Sequence, residues 1–454
     1  MHEGQLGCAD SAKSAAEWLV GRPGKSRKWV LGADEMVGKA PLTLGVFKET
    51  GQEYVFDGAE SLITIARPGR GKTQAHVVRN LLYLEAPAIV LDVKPEIADL
   101  TSEWRDQNVG PVQVFRPGDA AATEKFNPLD AVPNDPIAAY TAIGRLLPLL
   151  MVPTDSHSAK SFWEGRAAQL LQGALFDICL HGYQGRRDMS AVVDWFSPSP
   201  KELKLHIEFL QGCGVRSLVR IGNQLASADE ETRSNLFETV LRHVDVWGSP
   251  QLETVVAETT INFEDLRSKN GTLYLCVTTE ELLMYRPLIR TLLGQIFYTI
   301  RDARDQYDLP PVTFFLDEFP QLGYMQEIEQ MIALGRQSGL RLWLFAQGTS
   351  QLQKAYGDPQ RILELMAVRC FMEPTATTAQ ELSKELGSRR DLLTGQMKPL
   401  ATPQQLMGPE YVDKVVVLEG GRRPARLLAV KAYEDPQLKG RHKEPQRTTG
   451  ELAD

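Results

Sequence analysis

Between residues 61 and 117 the chain repeats one pattern: a short unbroken apolar run, an amphipathic segment, then another run. The runs are "SLITIA" at 61–66, "APAIVLDV" at 86–93 and "PVQVFRP" at 111–117. Each is too short for a stable helix, and "APAIVLDV", continuous and apolar, suits a strand buried on both faces. The segment 72–85 sets Val77, Val78, Leu81 and Leu82 on one helical face, and 96–107 does the same with Ile97, Leu100 and Trp104. Strand–helix–strand order forces crossover connections, so the strands run parallel and helices cover the sheet. The fold class that follows is α/β.

The pattern stops after "KFNPLD" at 125–130, where Asn127-Pro128 signals a turn of structural origin. From 134 to 247 nearly everything has helical periodicity, clearest at 161–183 and 230–247. Phe162, Trp163, Leu170 and Leu171 recur there at helical spacing and read as core. Strands return at 271–279, 311–319 and 340–347, with one long helix expected over 281–305. Residues 413–433 read as a hairpin about Gly420-Gly421. Before residue 60 there are only short strand-like pieces, "KWVLGA" at 28–33 and "LTLGVF" at 42–47. The expected organisation is a nucleotide-binding domain in two parts, 1–130 and 250–436. An all-α domain is inserted at 131–249, and a polar, disordered tail occupies 437–454.

Composition narrows the function. A hydrophobic content of 43% is ordinary for a globular protein. The formal net charge of −8 argues against a surface that coats nucleic acid. Such contact would need a focused patch or a channel built by several subunits, and the basic runs at 422–426 and 439–443 read as solvated surface. The five cysteines are scattered without a Cys-x-x-Cys pair, and the seven histidines show no ligand spacing. That fits reduced thiols and argues against a disulfide frame or a zinc site. No stretch is long and apolar enough to span a bilayer, and residues 1–18 lack the pattern of a signal peptide. The expected place is the cytoplasm or the cytoplasmic face of a membrane.

Chemistry concentrates at "ARPGRGKT", residues 66–73. It follows a strand and opens a helix, as a phosphate-binding loop must, so that backbone N–H groups point at the anion. Gly69 and Gly71 let the backbone curl closely. Lys72 would reach the β- and γ-phosphates, and Thr73 would offer its hydroxyl to Mg²⁺. The nucleotide-binding set is Ala66, Arg67, Pro68, Gly69, Arg70, Gly71, Lys72, Thr73 and Gln74. The first loop position mainly closes the turn, where the methyl group of Ala66 is tolerable. A second element, "VTFFLDEF", ends an apolar strand in an acidic pair: Asp317 would hold Mg²⁺ and Glu318 would orient and deprotonate the attacking water. Asp92 and Lys94 end a neighbouring strand at the same edge, where they read equally as site residues or as a structural salt bridge.

Five stretches together resemble the type IV secretion coupling proteins, the TraG/TraD-like ATPases of bacterial conjugation. They are "ARPGRGKT", "LDVKPEIADLTSEWR", "FNPLD", "FLDEFPQLGYMQEIEQMIALGRQSGLRLWLFAQGTSQLQKAYG" and "AQELSKELGSR". The block around "DEFPQLG" is the most specific, and the loop of that family begins with Ala or Gly. Pro95 stands where the family usually has Gly in an Asp-x-Lys-Gly-Glu turn, and Arg70 where it usually has a small or polar residue. Family members normally carry transmembrane helices ahead of the ATPase domain. This chain is therefore expected to be a soluble fragment or a member without an anchor.

The resemblance implies a RecA-like P-loop NTPase fold, ATP and Mg²⁺ as cofactors, and assembly into a six-subunit ring. It implies Arg336 as an arginine finger toward a neighbouring subunit's γ-phosphate and Gln347 as a γ-phosphate sensor or water-positioning residue. The implied partners are further copies of the chain, single- or double-stranded DNA, relaxase proteins and components of the type IV secretion channel at the inner membrane. The leading expectation is an ATP-driven motor that recruits and translocates DNA or a relaxase–DNA substrate. The alternatives are a nucleotide-regulated docking receptor with little motor activity, and another DNA translocase of the HerA/FtsK-like kind, against which "DEFPQLG" speaks.

Overall fold

In this computed structural model the described residues are 18–19, 40–119, 121, 124–151, 158–302, 309–390 and 395–441; the side chains of 158–163 and of Arg336 are not among them. The strands are β1 (Leu42–Val46), β2 (Glu53–Phe56), β3 (Leu62–Ala66), β4 (Ala88–Asp92), β5 (Val112–Phe115), β6 (Thr272–Cys276), β7 (Val312–Leu316), β8 (Leu340–Ala346), β9 (Val368–Met372), β10 (Ser388–Arg390), β11 (Met397–Pro399), β12 (Lys414–Glu419) and β13 (Ala425–Leu428). Eleven of them form one sheet in the order β2-β1-β13-β12-β9-β3-β8-β7-β4-β6-β5, and β10 pairs with β11.

The seven strands from β9 to β5 are mutually parallel. The other four join antiparallel, β12 on β9 and β13 on β12, then β1 and β2. Burial explains the split. β3, β4, β6, β7 and β8 are buried at every residue, whereas the edge strand β2 alternates half-buried and buried. Helices cover the parallel part on both faces, and one face of β2 meets solvent.

Along β3, Leu62 and Ala66 enter one apolar cluster while Ile63 and Ile65 enter the other. The first cluster holds the helix after the loop and the helix Glu96–Asn108; the second holds the remaining large helices. The helices Pro136–Leu150, Ser158–His181, Met189–Trp195, Pro200–Gly212, Arg216–Ser227 and Glu230–Val244 fill the span where strand signals stop. Their core of Leu170, Leu171, Trp195 and Trp247 continues without a break into the sheet residues Ile63 and Leu91. The chain enters and leaves this block side by side: Phe126 N–H donates to Val255 O at 2.8 Å and Thr260 N–H to Lys125 O at 3.0 Å. Asn127 accepts from Leu129 N–H and donates to Asp130 and to Arg187 O, so it shapes the turn.

Several expectations shift. The helix expected over 281–305 is two, Thr279–Met284 and Arg286–Asp302, broken just before Pro287. The helix after the loop opens as π-helix over Thr73–Val78, with Arg79 N–H reaching Gln74 O. In the helix Glu96–Asn108 the fully buried large side chain is Arg105, while Leu100 and Trp104 are half-buried. Residues 437–441 are packed against the sheet domain: Leu438 is buried and the Arg441 guanidinium lies 4.8 Å from the Trp104 ring. "KWVLGA", the side chains of Phe162 and Trp163, and residues 442–454 lie outside the described residues.

Candidate nucleotide site

At the carboxyl edge of the parallel strands, where open α/β sheets hold ligands, β3 runs straight into the loop. Ala66 is buried at the strand end, so its methyl group fills core. Gly69 and Gly71 hold φ of 72° and 78°, the left-handed region glycine adopts without cost. A side chain at Gly69 would meet nothing within 4 Å, whereas one at Gly71 would meet Lys431 Cε at 3.2 Å. The cradle is open above and braced on one side by the segment after β13. No side chain caps the helix that starts at Lys72, which leaves its first N–H groups available to an anion.

Lys72 is buried and does not reach into the cradle. Its Nζ lies 2.6 Å from Glu318 Oε1 and 3.3 Å from Asp317 Oδ1. Burial opposes its charge, yet the two carboxylates hold the ammonium above its ordinary pKa. Burial in turn pushes the Asp317 carboxyl up, Lys72 pulls it back, and the Glu318 charge adds to the rise. One ammonium thus faces two carboxyl groups, a set of the donor type that divalent cations take.

Glu318 follows β7 in the left-handed region at φ 50°, a strained setting for a side chain of its size. Gln347, just beyond β8, donates to Glu318 Oε1 at 3.0 Å, and its own N–H donates to Gln351 Oε1. Glu318 Oε2 is buried with no hydrogen-bond partner among the described residues, as is Gln74 Oε1. Thr73 stands half-buried on the first turn. The structure therefore brings Lys72, Asp317, Glu318 and Gln347 together beside Thr73 and Gln74. Arg336 lies on the helix Gln326–Ser338, which ends at the left-handed Gly339. Its side chain is outside the described residues.

Asp92 and Lys94 do not pair. Lys94 is exposed, while Asp92 is buried at the end of β4 and accepts from Ala98 N–H at 2.9 Å, tying β4 to the next helix. Burial raises its carboxyl to about 7, with the Asp317 charge contributing, and Asp92 Oδ1 has no hydrogen-bond partner among the described residues.

Two residues at the site escape the sequence reading. His76 is buried beneath the loop. Its Nε2 meets Leu44 O at 3.1 Å and its Nδ1 meets the Thr64 hydroxyl at 2.9 Å, which accepts from Trp343 Nε1. A carbonyl only accepts, so Nε2 carries the proton and Nδ1 is the acceptor. Burial lowers the His76 pKa to about 3, keeping the ring neutral. Glu373, one residue past β9, lies 3.1 Å from Arg70 Nη1. Neither belongs to a local motif, and only the apolar neighbours of His76 hinted at burial.

Residues 25–453 match the family model described as type IV secretory system conjugative DNA transfer. The chain is 27% identical over 411 residues to the VirD4 protein of Rhizobium radiobacter, covering 85% of this chain and 59% of that protein. It is 24% identical over 363 residues to the conjugal transfer protein TraG of Escherichia coli, covering 73% and 56%. It thus spans less than two thirds of the length of these relatives. Among solved structures it is similar to the plasmid coupling protein TrwB in complex with ADP and Mg²⁺, with a TM-score of 0.63 at 17% identity over 82% of this chain and 86% of that one. TrwB in complex with a non-hydrolysable ATP analogue matches at 0.63 and 18%, covering 82% and 86%. At such identity the likeness speaks for the fold.

Proposed function

The chain belongs to the type IV secretory system conjugative DNA transfer family, and from that membership we propose that it is an ATP-hydrolysing coupling protein. It would recruit DNA or a relaxase–DNA substrate and drive it toward a secretion channel at the cytoplasmic face of the inner membrane. Among the described residues no helix is long and apolar enough to cross a membrane.

The observation that carries the reading is the contact of Lys72 with Asp317 and Glu318 at the mouth of a glycine loop. The residues fit ATP and Mg²⁺: the helix start is uncapped, the cradle is open, and the acidic pair offers carboxyl oxygens. Bound Mg²⁺ would supply the positive charge that draws electrons from the phosphates. Thr73 and Asp317 would hold it, with phosphate oxygens filling further positions, since Mg²⁺ takes few protein ligands. Lys72 would leave the acidic pair for the β- and γ-phosphates. That movement frees Glu318, held by Gln347 alone, to take the proton of the attacking water. The backbone of Ala66, Arg67, Pro68, Gly69, Arg70 and Gly71 would line the phosphates, together with Gln74. In a ring of subunits Arg336 would reach a neighbour's γ-phosphate, and single- or double-stranded DNA would be gripped by the assembled channel.

Steady-state ATP hydrolysis tests this, with single-stranded DNA present, at high protein concentration, against Lys72→Ala. The expected result is a wild-type rate at least about a hundredfold above the variant. Equal rates would leave a docking receptor and remove the motor.

A further inference from the structure

In the sheet Ala66 of β3 sits beside Met372 of β9, so Arg67 and Glu373 leave the two strands together. Glu373 is 6% exposed and holds φ at 39°, a backbone state that a side chain of its size rarely adopts. Its carbonyl accepts from Arg67 Nε at 3.1 Å. Its carboxylate Oε2 lies 3.1 Å from Arg70 Nη1 and 3.8 Å from Arg67 Nη2. Both arginines are themselves partly exposed, at 37% and 42%. One buried carboxylate thus gathers both guanidinium groups at the flank of the loop, while Lys72 is held by the acidic pair. All three cations of the loop face acids, and the space over Gly69 is clear. Arg70 is next to Gly71, and its side chain is long enough to turn from the flank to the cradle. There its planar fork would match phosphate oxygens better than an ammonium does.

We infer that Glu373 is a positioning residue that lowers nucleotide affinity: its carboxylate keeps Arg67 and Arg70 off the phosphates. This rests on the loop being a nucleotide site. The loop then binds through Lys72 and backbone N–H groups, and the spent nucleotide leaves without two further ionic contacts to break. The strained backbone at Glu373 places the carboxylate within reach of both arginines.

The test is ADP binding by a fluorescent analogue across a salt series, for wild type, Glu373→Gln, Arg70→Gln, the double variant and Lys72→Ala. Glu373→Gln is expected to bind ADP about threefold tighter or more, to release it more slowly, and to show a steeper salt dependence from the added ionic contact. Arg70→Gln is expected to bind more weakly than wild type, because Glu373 keeps an uncompensated charge near the phosphates. Adding Glu373→Gln to it restores the affinity, a coupling that a purely structural role would not produce. Unchanged or weaker binding by Glu373→Gln with the wild-type salt slope overturns the inference. If Glu373→Gln does not fold, Arg70→Gln still decides, since wild-type affinity there overturns it as well. Should wild type and Lys72→Ala bind ADP equally poorly, the nucleotide site itself fails. If Lys72→Ala loses binding while Glu373→Gln and Arg70→Gln bind ADP as wild type does, the site stands and only the role of Glu373 falls.

Discussion

Two sets of buried charge at opposite edges of the same parallel sheet are handled in opposite ways. At the amino edge, Arg341 and Arg105 are fully buried. Arg341 donates to Ala40 O, Gly58 O and the Thr313 hydroxyl; Arg105 donates to Leu81 O, Leu84 O, Ala86 O and the Thr272 hydroxyl. Each guanidinium is ringed by neutral acceptors and closes off backbone carbonyls that would otherwise be stranded. At the carboxyl edge, Lys72, Asp92, Asp317 and Glu318 are buried too, yet carboxylate oxygens of Asp92 and Glu318 have no hydrogen-bond partner among the described residues and Glu318 is strained. Burial of charge does not by itself mark a site. Unsatisfied carboxylate oxygens gathered at the mouth of a glycine loop point to one, because an unmet buried acceptor is costly unless a ligand uses it.

The contrast can be broken first with Glu318→Gln. It should cost about 10³-fold in the rate of ATP hydrolysis with no loss of thermal stability, since it removes one of two crowded acids; a fall in melting temperature would make Glu318 a structural residue. Next, Arg341→Met should lose about 3 kcal/mol of stability by chemical denaturation, because two carbonyls lose their donors, while the folded fraction keeps its ATP affinity.

Smaller effects come from pH, and two of the buried titratable groups near the loop, His76 and Asp92, act with opposite sign. His76 falls from 6.5 to about 3 on folding. The folded state then binds fewer protons, so its contribution is full above the unfolded value and is lost as pH falls. Going from pH 6.5 to about pH 5 should cost roughly 2 kcal/mol, and His76→Gln should flatten that acid limb. Asp92 rises from 3.8 to about 7. Here the folded state binds more protons, so stability declines as pH climbs through that window, and Asp92→Asn should remove the decline. Denaturation midpoints of each variant against wild type across pH 4–8 separate the two; an unchanged pH profile in either variant would show that its group does not titrate as buried.

Much of the site was legible because its signals are local. A strand, a glycine loop and the start of a helix lie within thirteen residues, 61–73, and "FFLDEF" carries its own strand and acidic end. Lys72, Asp317, Glu318 and Gln347 are consequently found together, although 275 positions separate the first from the last (347 minus 72). Glu373 was not legible, since a Glu-Pro after an apolar run has no spacing to the loop that a reader could test. Its role comes from β9 pairing with β3, a neighbourhood set across some 300 residues. Of the two readings of Asp92 and Lys94, the salt bridge is not formed, for a related reason. Proximity in sequence suggested a pair, but Asp92 turns inward to the next helix while Lys94 faces solvent.

By itself, then, the sequence determined the periods. Short apolar runs between amphipathic segments mark strands of a parallel sheet, helical spacing fills 134–247, and a glycine loop between strand and helix marks the place where N–H groups gather. The order of the strands, the union of the helical block with one sheet face, and the carboxylate that each loop cation meets were decided by tertiary structure. Periodicity is written in neighbouring residues, whereas the partner of a buried charge depends on which distant strand lands beside it.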